Sequence, residues 1–287
     1  MHYPAKIDLH MHSTVSDGTD TPEQLLQNVK QNGLSLFSLT DHDTDDGCQT
    51  IRNLLKEGDP LFLNGIEFAC EDEKGKYHIL GYDFDSQNET LRRTIATGHQ
   101  YRMNKAIGRL QFLEKTFGFC FPEEEKKRLL SLNNPGKPHI ANLMVQYGFA
   151  PNRAEAIRQY INPFHPDNQY LRPEQAIEAV LLAGGIPILA HPVYGNGEQH
   201  ITGTALRERF RYLIAYGLQG VEAFYTGLSP ALTQEVLDLA QQYDLYVTAG
   251  SDYHGTNKTV LLGSVPLPDP SEYPQGLKNF LSRIYHP

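Results

Sequence analysis

A mixed α/β fold, built on a parallel barrel or barrel-like sheet with a helical insertion, is what this chain of 287 residues predicts. Three observations carry that prediction. Short apolar runs of strand length alternate with amphipathic helical segments at both ends of the chain. Histidines and carboxylates gather where those runs stop. Between about residues 89 and 172 the strands give way to basic helical patterns. Strand–helix alternation with polar side chains at strand C-terminal ends is how an α/β barrel assembles a site from distant sequence.

The elements follow in order. Lys6-Ile7-Asp8-Leu9 is a short strand that ends in His10-Met11-His12. Thr21-Pro22 supplies an N-cap and a proline at the first helical position. Leu25, Leu26 and Val29 then share one helical face, and Gly33 suits the stop. Residues 34–39 predict a second strand and residues 48–55 a second helix. Residues 61–68 and 77–84 read as two strands joined by a charged turn at 71–76. From Glu89 only helical patterns occur, at 91–117, 122–132, 139–147 and 153–160, broken at Gly118, Pro135-Gly136, Gly148 and Pro163. The strand–helix rhythm returns at Pro173, with helices at 174–183, 206–216 and 230–243 and strands at 186–190, 220–224 and 245–249. The expected division is a barrel from residues 1–88 and 173–287, with 89–172 as an inserted cap.

Composition narrows the class. Hydrophobic residues make up 40% and charged residues 21%, as in ordinary soluble proteins. No apolar run approaches the ~18–20 residues of a membrane span. The N-terminal Met1-His2-Tyr3-Pro4 lacks the basic start and apolar stretch of a signal peptide, so a cytoplasmic protein is expected. Cys48, Cys70 and Cys120 are odd in number and widely spaced, which argues against a disulfide framework. The net charge of −9 argues against duplex DNA as a partner, and no motif implies a protein partner. Charge is unevenly placed. Residues 92–172 carry 13 Lys and Arg against 6 Asp and Glu, a balance of +7, whereas the remainder carries 12 against 28, a balance of −16. Such a split suits a small anionic, phosphorylated substrate held from two sides, by metals below and by cations above.

Nine metal-type side chains stand at or near the ends of the apolar runs: His10, His12, Asp17, His42, Glu67, His78, His191, Asp252 and His254. Alternation along a strand places His10 and His12 on one face, where both imidazoles can share an ion. Glu67 and Asp252 are carboxylates able to bridge ions. Imidazole and carboxylate are ligands common to zinc, manganese and iron. The set is too large for one ion and contains no cysteine, unlike a closed structural zinc site.

These residues carry a resemblance. His10-x-His12 with Ser16-Asp17-Gly18, Thr40-Asp41-His42-Asp43, Gly65-x-Glu67, His78, Ala190-His191-Pro192 and Gly250-Ser251-Asp252-x-His254-Gly255 resemble the polymerase and histidinol phosphatase (PHP) superfamily. The likeness is greatest to its stand-alone phosphoesterases with a helical insertion, which include 3′,5′-nucleoside bisphosphate phosphatases and 5′→3′ exoribonucleases. It spans almost the whole chain, and all nine metal positions are filled. The resemblance implies a distorted (βα)7 barrel, like that of triosephosphate isomerase, holding two or three divalent ions of manganese, zinc or iron. It implies one ion on His10, His12, Glu67 and Asp252, a second on Glu67, His78 and His191, and a third on Asp17, His42 and His254. Gly136-Lys137-Pro138-His139 resembles a family segment that usually reads Gly-Arg-Pro-His, so Lys137 puts a point charge where a bidentate fork would sit.

The expected chemistry is hydrolysis of a phosphate ester by metal-activated hydroxide, with Asp252 or His254 assisting the leaving alcohol. Substrates expected are 3′,5′-nucleoside bisphosphates, short 5′-phosphorylated RNA, or both. Arg102, Arg109, Lys137, His139 and Arg158 of the insertion are candidate phosphate contacts, and Tyr101, Phe117, Phe119 or Tyr225 could stack a base. Asp8, Asp41 and Asp43 are placed to accept from ligating imidazoles. His2, His99, His165, His200 and His286 have no motif support. The rival activities are a histidinol-phosphate-type or other small phosphomonoesterase and C–N hydrolysis, for which no bridging lysine is found. The rival of another class is a metal-stabilised binding module without catalysis.

Overall fold

The computed structural model describes residues 3–166, 169–195 and 199–285. Seven strands lie in sequence order in one sheet: β1 (Ile7–Asp8), β2 (Leu36–Leu39), β3 (Leu61–Asp72), β4 (Gly75–Tyr82), β5 (Ile186–Leu189), β6 (Gly220–Tyr225) and β7 (Tyr246–Gly250). The ends of the sheet meet. Leu9 N–H donates to Ala249 O at 2.9 Å, Asp252 N–H to His10 O at 2.8 Å, and His12 N–H to Tyr253 O at 2.8 Å. The result is a nearly closed seven-stranded barrel.

One strand departs from the parallel rule. β1 to β3 run parallel, as do β5 to β7, but β4 is antiparallel to both its neighbours. The turn between Asp72 and Gly75 is too short for a crossover, so the chain can only reverse. His78 therefore enters near the start of β4, not at its end. Because that strand is reversed, its start reaches the same rim at which the parallel strands finish.

The helices are α1 (Pro22–Gln31), α2 (Asp46–Leu54), α3 (Glu89–Phe117), α4 (Glu123–Leu130), α5 (Lys137–Gln146), α6 (Arg153–Glu155), α7 (Pro173–Leu182), α8 (Gly203–Ile214), α9 (Pro230–Gln242) and α10 (Gln275–Ile284). At the start of α1, Thr21 and Gln24 cap one another reciprocally, as the Thr-Pro start suggested. α6 runs on into a π-helical turn, Ala156–Ile161. The helix α10 was not expected from the sequence. Its Leu277, Phe280 and Leu281 form one buried face, and Phe280 meets Tyr82 and Tyr246 inside the barrel wall.

The buried apolar residues separate into a large core on strands and barrel helices, a smaller one under α1 and α2, and a third inside the insertion. The third contains Ala106, Leu110, Leu113, Phe121, Leu129, Ile140, Met144 and Ile161, all from residues 106–161. α3 connects two of these cores. It has 29 residues, about 43 Å at the usual helical rise, and stops at Gly118 with φ of 71°. Leu91 near its start belongs to the barrel core, and Leu110 and Leu113 belong to the insertion core. Between them the buried positions are Gly98, Arg102, Lys105, Ala106 and Arg109. Cations thus occupy the stretch of helix that spans the gap.

Candidate metal centre and anion cavity

The centre is organised by one carboxylate. Glu67 lies within β3, only 1% exposed, and five imidazoles surround it. Its Oε1 is 2.7 Å from His78 Nδ1 and 3.3 Å from His191 Nε2. Its Oε2 is 3.3 Å from His10 Nε2, 3.1 Å from His12 Nε2 and 3.1 Å from His42 Nδ1. Asp252 Oδ1 adds contacts to His10 and His12 at 3.6 and 3.4 Å. On the other side, Asp17 Oδ1 is 3.3 Å from His254 Nε2 and 3.9 Å from both His42 Nε2 and His12 Nδ1. All nine residues singled out in the sequence therefore converge at one end of the barrel.

The backbone is held firmly there. His191 and Asp252 adopt left-handed conformations, with φ of 27° and 59°, and Asp43 does so at 53°. Such residues persist only where surrounding bonds over-determine them. At Gly250 a Cβ would collide with His10 and with Glu222 Oε1, so only glycine lets β7 approach this closely.

Electrostatics show what the cluster lacks. His10 Nε2, His12 Nε2, His42 Nδ1 and Glu67 Oε2 are buried without any hydrogen-bond partner among the described residues. Each such atom ordinarily costs about 1–3 kcal/mol. Burial opposes charge on His10, but Glu222, Glu67 and Asp252 outweigh it and raise the pKa well above the ordinary value. His12 is likewise raised to about 9, burial being overcome by Asp252 and Glu67. Burial holds His42, His78 and His254 below the usual imidazole range. Burial opposes charge on Glu67, Asp17 and Asp252, but the facing imidazoles, joined at Asp252 by Lys258, outweigh it and hold all three well below the carboxylate range. The cluster demands positive charge, and unpaired imidazole and carboxylate atoms a few ångströms apart suit divalent cations. Three groups have donor atoms close enough to share an ion: His12, Asp17, His42 and His254; His10, His12 and Glu67; and His42, Glu67 and His78.

The supports of these rings differ from expectation. Asp8, Asp41 and Asp43 are buried, yet none accepts from an imidazole ring. Asp8 accepts from the backbone of Ser251 and Gly263 and from the Ser251 hydroxyl. Asp41 accepts from Ser13 and Ser16, and Asp43 from Ala69 N–H and Arg102 Nε. Asp8, at the end of β1, and Asp41 and Asp43, in the loop after β2, thus tie neighbouring loops together. The acceptor of His10 Nδ1 is Glu222, at 2.9 Å, whose other oxygen accepts the His191 N–H at 2.9 Å. Glu222 carries no motif. Its signal is a carboxylate within the apolar run of β6, fully buried in the fold.

Beside this cluster lies a cavity of about 760 Å³, bounded by Asp17, His42, His78 and His254 and by the insertion. Arg102, Arg109 and Lys137 line it, as expected, together with Lys76, Lys105, Arg153 and Lys258, which were not singled out. Lys105 was legible: it lies three residues after Arg102 and four before Arg109, on one helical face. Arg102 pairs with Asp43 at 3.0 Å. Among the described residues no carboxylate pairs with Lys105, Arg109 or Lys137, and Arg109 Nε is buried and unpartnered. Lys105 instead sits 3.6 Å from the Tyr170 ring centroid, and burial pushes its pKa well down. Burial, with Arg109 and Lys76 nearby, lowers Lys137 to about 8.

Other expected contacts lie elsewhere. Arg158 is exposed and pairs with Glu155 at 2.9 Å, one turn away on its own helix. His139 Nδ1 accepts the Gly136 N–H at 2.9 Å, and the residue is outside the cavity lining. Phe117 and Phe119 stack at 5.5 Å within the insertion's aromatic group, and Tyr101 packs on the barrel core. Tyr225 is at the centre, its hydroxyl donating to Asp252 Oδ2 at 3.1 Å. Cys48 and Cys70 are buried and Cys120 is exposed, with none in a disulfide. His165 and His200 are exposed and His99 is half-buried; His2 and His286 lie outside the described residues. A larger groove of about 960 Å³ between α9 and residues 264–276 has no imidazole in its lining. No helix among the described residues is long and apolar enough to cross a membrane.

Comparison with known proteins agrees with this arrangement. The PHP domain family model matches residues 8–172, more than half of the chain. A 5′-3′ exoribonuclease of Haemophilus influenzae is 29% identical over 254 residues, covering 87% of this chain and 90% of the relative. A phosphoribosyl 1,2-cyclic phosphate 1,2-diphosphodiesterase of Eggerthella lenta is 30% identical over 258 residues, covering 86% and 94%. A 3′,5′-nucleoside bisphosphate phosphatase of Chromobacterium violaceum is 28% identical over 258 residues, covering 87% of each. A crystal structure from Bifidobacterium adolescentis, described as a metal-dependent phosphoesterase, superposes with a TM-score of 0.81 at 27% identity over 96% of both chains.

Proposed function

The chain belongs to the PHP domain family, and on that premise we propose that it is a metal-dependent phosphoesterase of small nucleotides. Its preferred substrates in this reading are 3′,5′-nucleoside bisphosphates, cleaved to a nucleoside 5′-monophosphate and phosphate, with short 5′-phosphorylated RNA as a related substrate. The observation that carries the reading is the pairing of two unsatisfied regions. Orphaned imidazole and carboxylate atoms stand at the barrel mouth, and cations without carboxylate partners stand across one cavity from them.

The ligand sets proposed are His10, His12, Glu67 and Asp252 for one ion, Glu67, His78 and His191 for a second, and Asp17, His42 and His254 for a third. The grouping of donor atoms supports His10, His12 and Glu67 as one set and Asp17, His42 and His254 as another that His12 can join. Glu67 and His78, by contrast, group with His42 and not with His191, and Asp252 falls in none of the groups. Manganese, zinc or iron there would supply hydroxide at neutral pH and neutralise phosphoryl oxygens. The chain's own residues do the remaining work. Glu222 fixes the tautomer and direction of His10 and the backbone at His191. Asp252 and His254, 3.3 Å apart, are the groups assigned to pass a proton to the departing alcohol.

The barrel of residues 1–88 and 173–287 performs the reaction, and the cap of 89–172 selects the substrate. The insertion's own apolar core and the cationic stretch of α3 support that division. A cavity of about 760 Å³ is large enough for a mononucleotide with a second phosphate on Lys105, Arg109 and Lys137.

A phosphate-release screen tests the proposal. Protein stripped by a chelator and reloaded with manganese, zinc or iron is offered nucleoside bisphosphates, mononucleotides, sugar phosphates and short 5′-phosphorylated RNA. Activity should vanish on stripping, return on reloading and be highest on a bisphosphate. Full activity in a verified metal-free preparation would overturn it.

A further inference from the structure

Resting on the phosphoesterase reading, we propose that Lys258 is a further catalytic residue, one that binds the phosphoryl group being cleaved and not the remote phosphate. Lys258 follows β7 by eight residues. Its ammonium contacts Asp252 Oδ2, the oxygen turned away from His10 and His12. That oxygen already accepts from the Tyr225 hydroxyl, so the carboxylate is oriented without the lysine. The side chain is 39% exposed and lines two hollows, which a lysine serving only to seal a charge pair would not need to do.

Its position separates it from the other cations. A second, smaller hollow of about 240 Å³, walled by His191, Tyr194 and Tyr225, adjoins the metal centre. His42, His78 and Lys258 border both this hollow and the cation-lined cavity, and Lys258 is the one lysine or arginine to do so among the described residues. The seam between the two hollows runs over the ligand cluster, where the scissile group has to sit. Arg102, Lys105 and Arg109 line only the larger cavity, from α3.

The loop that carries Lys258 is anchored on three sides. Asn257 Nδ2 donates to Asp17 O at 2.8 Å, and Thr256 N–H donates to Thr19 Oγ1 at 2.9 Å. Arg153 of α6 donates to Asn257 Oδ1 at 2.6 Å and to Thr256 O. A fixed charge placed before reaction stabilises developing negative charge without reorganisation. In the step proposed, water oxygen bonds to phosphorus, the ester P–O bond breaks, and the proton given up by the attacking water reaches the departing oxygen by way of Asp252 and His254. Lys258 keeps its own protons and donates hydrogen bonds to a non-bridging phosphoryl oxygen.

The test uses the metal-loaded enzyme with Lys258→Met and Lys258→Arg. Turnover is measured on adenosine 3′,5′-bisphosphate and on an aryl phosphate, bound metal by elemental analysis, and inorganic phosphate binding by calorimetry. Lys258→Met should lower kcat by about 10²–10³-fold on both substrates, the usual effect of removing one preorganised donor. It should weaken phosphate binding while leaving metal content unchanged, and Lys258→Arg should recover part of the loss. Loss of metal in step with activity would make Lys258 a support for Asp252 and overturn the proposal. A loss confined to the bisphosphate, or none, would overturn it too. If the unaltered enzyme cleaves no phosphate ester, the phosphoesterase reading fails instead, and phosphate binding by the variants still decides whether Lys258 meets that anion.

Discussion

The barrel mouth and the middle of α3 are both charged and buried, yet they are unsatisfied in opposite senses. At the mouth, carboxylates and imidazoles press together, and four of their atoms find no hydrogen bond. On α3, Lys105 and Arg109 lie buried with no carboxylate paired to them among the described residues. Folding tolerates neither arrangement for its own sake, since burying unpaired charge is costly. The difference teaches where each kind of function sits. In the function proposed, the reaction sits on strand ends whose backbone is locked by Asp8, Asp41 and Glu222, and recognition sits on one face of a helix that bridges two cores.

The largest expected effect comes from breaking the mouth. Glu67→Gln removes the carboxylate shared by five imidazoles and should abolish turnover on every phosphate ester, with loss of bound metal. Retained turnover would mean that the centre does not depend on its central bridge. Next in size is Glu222→Gln, which leaves the ligands in place and removes the acceptor that orients His10. Metal affinity should fall by ~10–100-fold, the usual loss when such a partner is removed, and titration with a competing chelator reads it directly. An unchanged affinity would reduce Glu222 to a packing role.

The helix face should respond differently. Lys105→Met or Arg109→Ala should weaken doubly phosphorylated substrates by about 1.5–3 kcal/mol, as for other hydrogen bonds to charged groups, and leave an aryl phosphate nearly unchanged. Equal losses on both substrates would erase the contrast between the two regions. Arg102 is a poorer probe, because its removal also strands the Asp43 carboxylate.

How much of this was legible follows from where the residues stand. The nine candidate ligands stand out because histidines and acids interrupt or end short apolar runs, a pattern that packing alone does not produce, although Glu67 and His78 prove to lie within β3 and β4. Glu222 does not stand out, since a single acid inside a strand looks the same whether it props an imidazole or pairs with a surface lysine. Asp8, Asp41 and Asp43 have the right neighbours in sequence but other directions in space, which neither a two-residue β1 nor the loop after β2 fixes by alternation. The reversal of β4 is implicit in the charged turn at residues 71–76, and the site depends on it, because only a reversed strand brings His78 to the rim where the parallel strands finish. On the insertion, Arg102 and Arg109 share a helical face that lines the cavity, whereas Arg158 lies on a face that turns to solvent and meets Glu155. The amphipathic α10 is readable from the spacing of Leu277, Phe280 and Leu281, though it carries no chemistry.

The smallest effect expected is a pH dependence confined to the helix side. Lys137, lowered to about 8 chiefly by burial, is charged below that pH and loses its proton above it. The KM for a bisphosphate should therefore rise by a few-fold between pH 7 and 9, relative to the KM for an aryl phosphate. Lys137→Arg, which stays charged, should flatten that difference. Parallel profiles for the two substrates would place Lys137 outside the recognition face.

The most direct test of the division between mouth and helix face is kcat/KM for adenosine 3′,5′-bisphosphate against AMP under one metal condition. Binding energy from the remote phosphate can be spent on orienting the reacting one, so the bisphosphate should be favoured by more than about 10-fold. AMP hydrolysed with equal efficiency would show that the cations of α3 read no second phosphate, and would contradict the account at its centre.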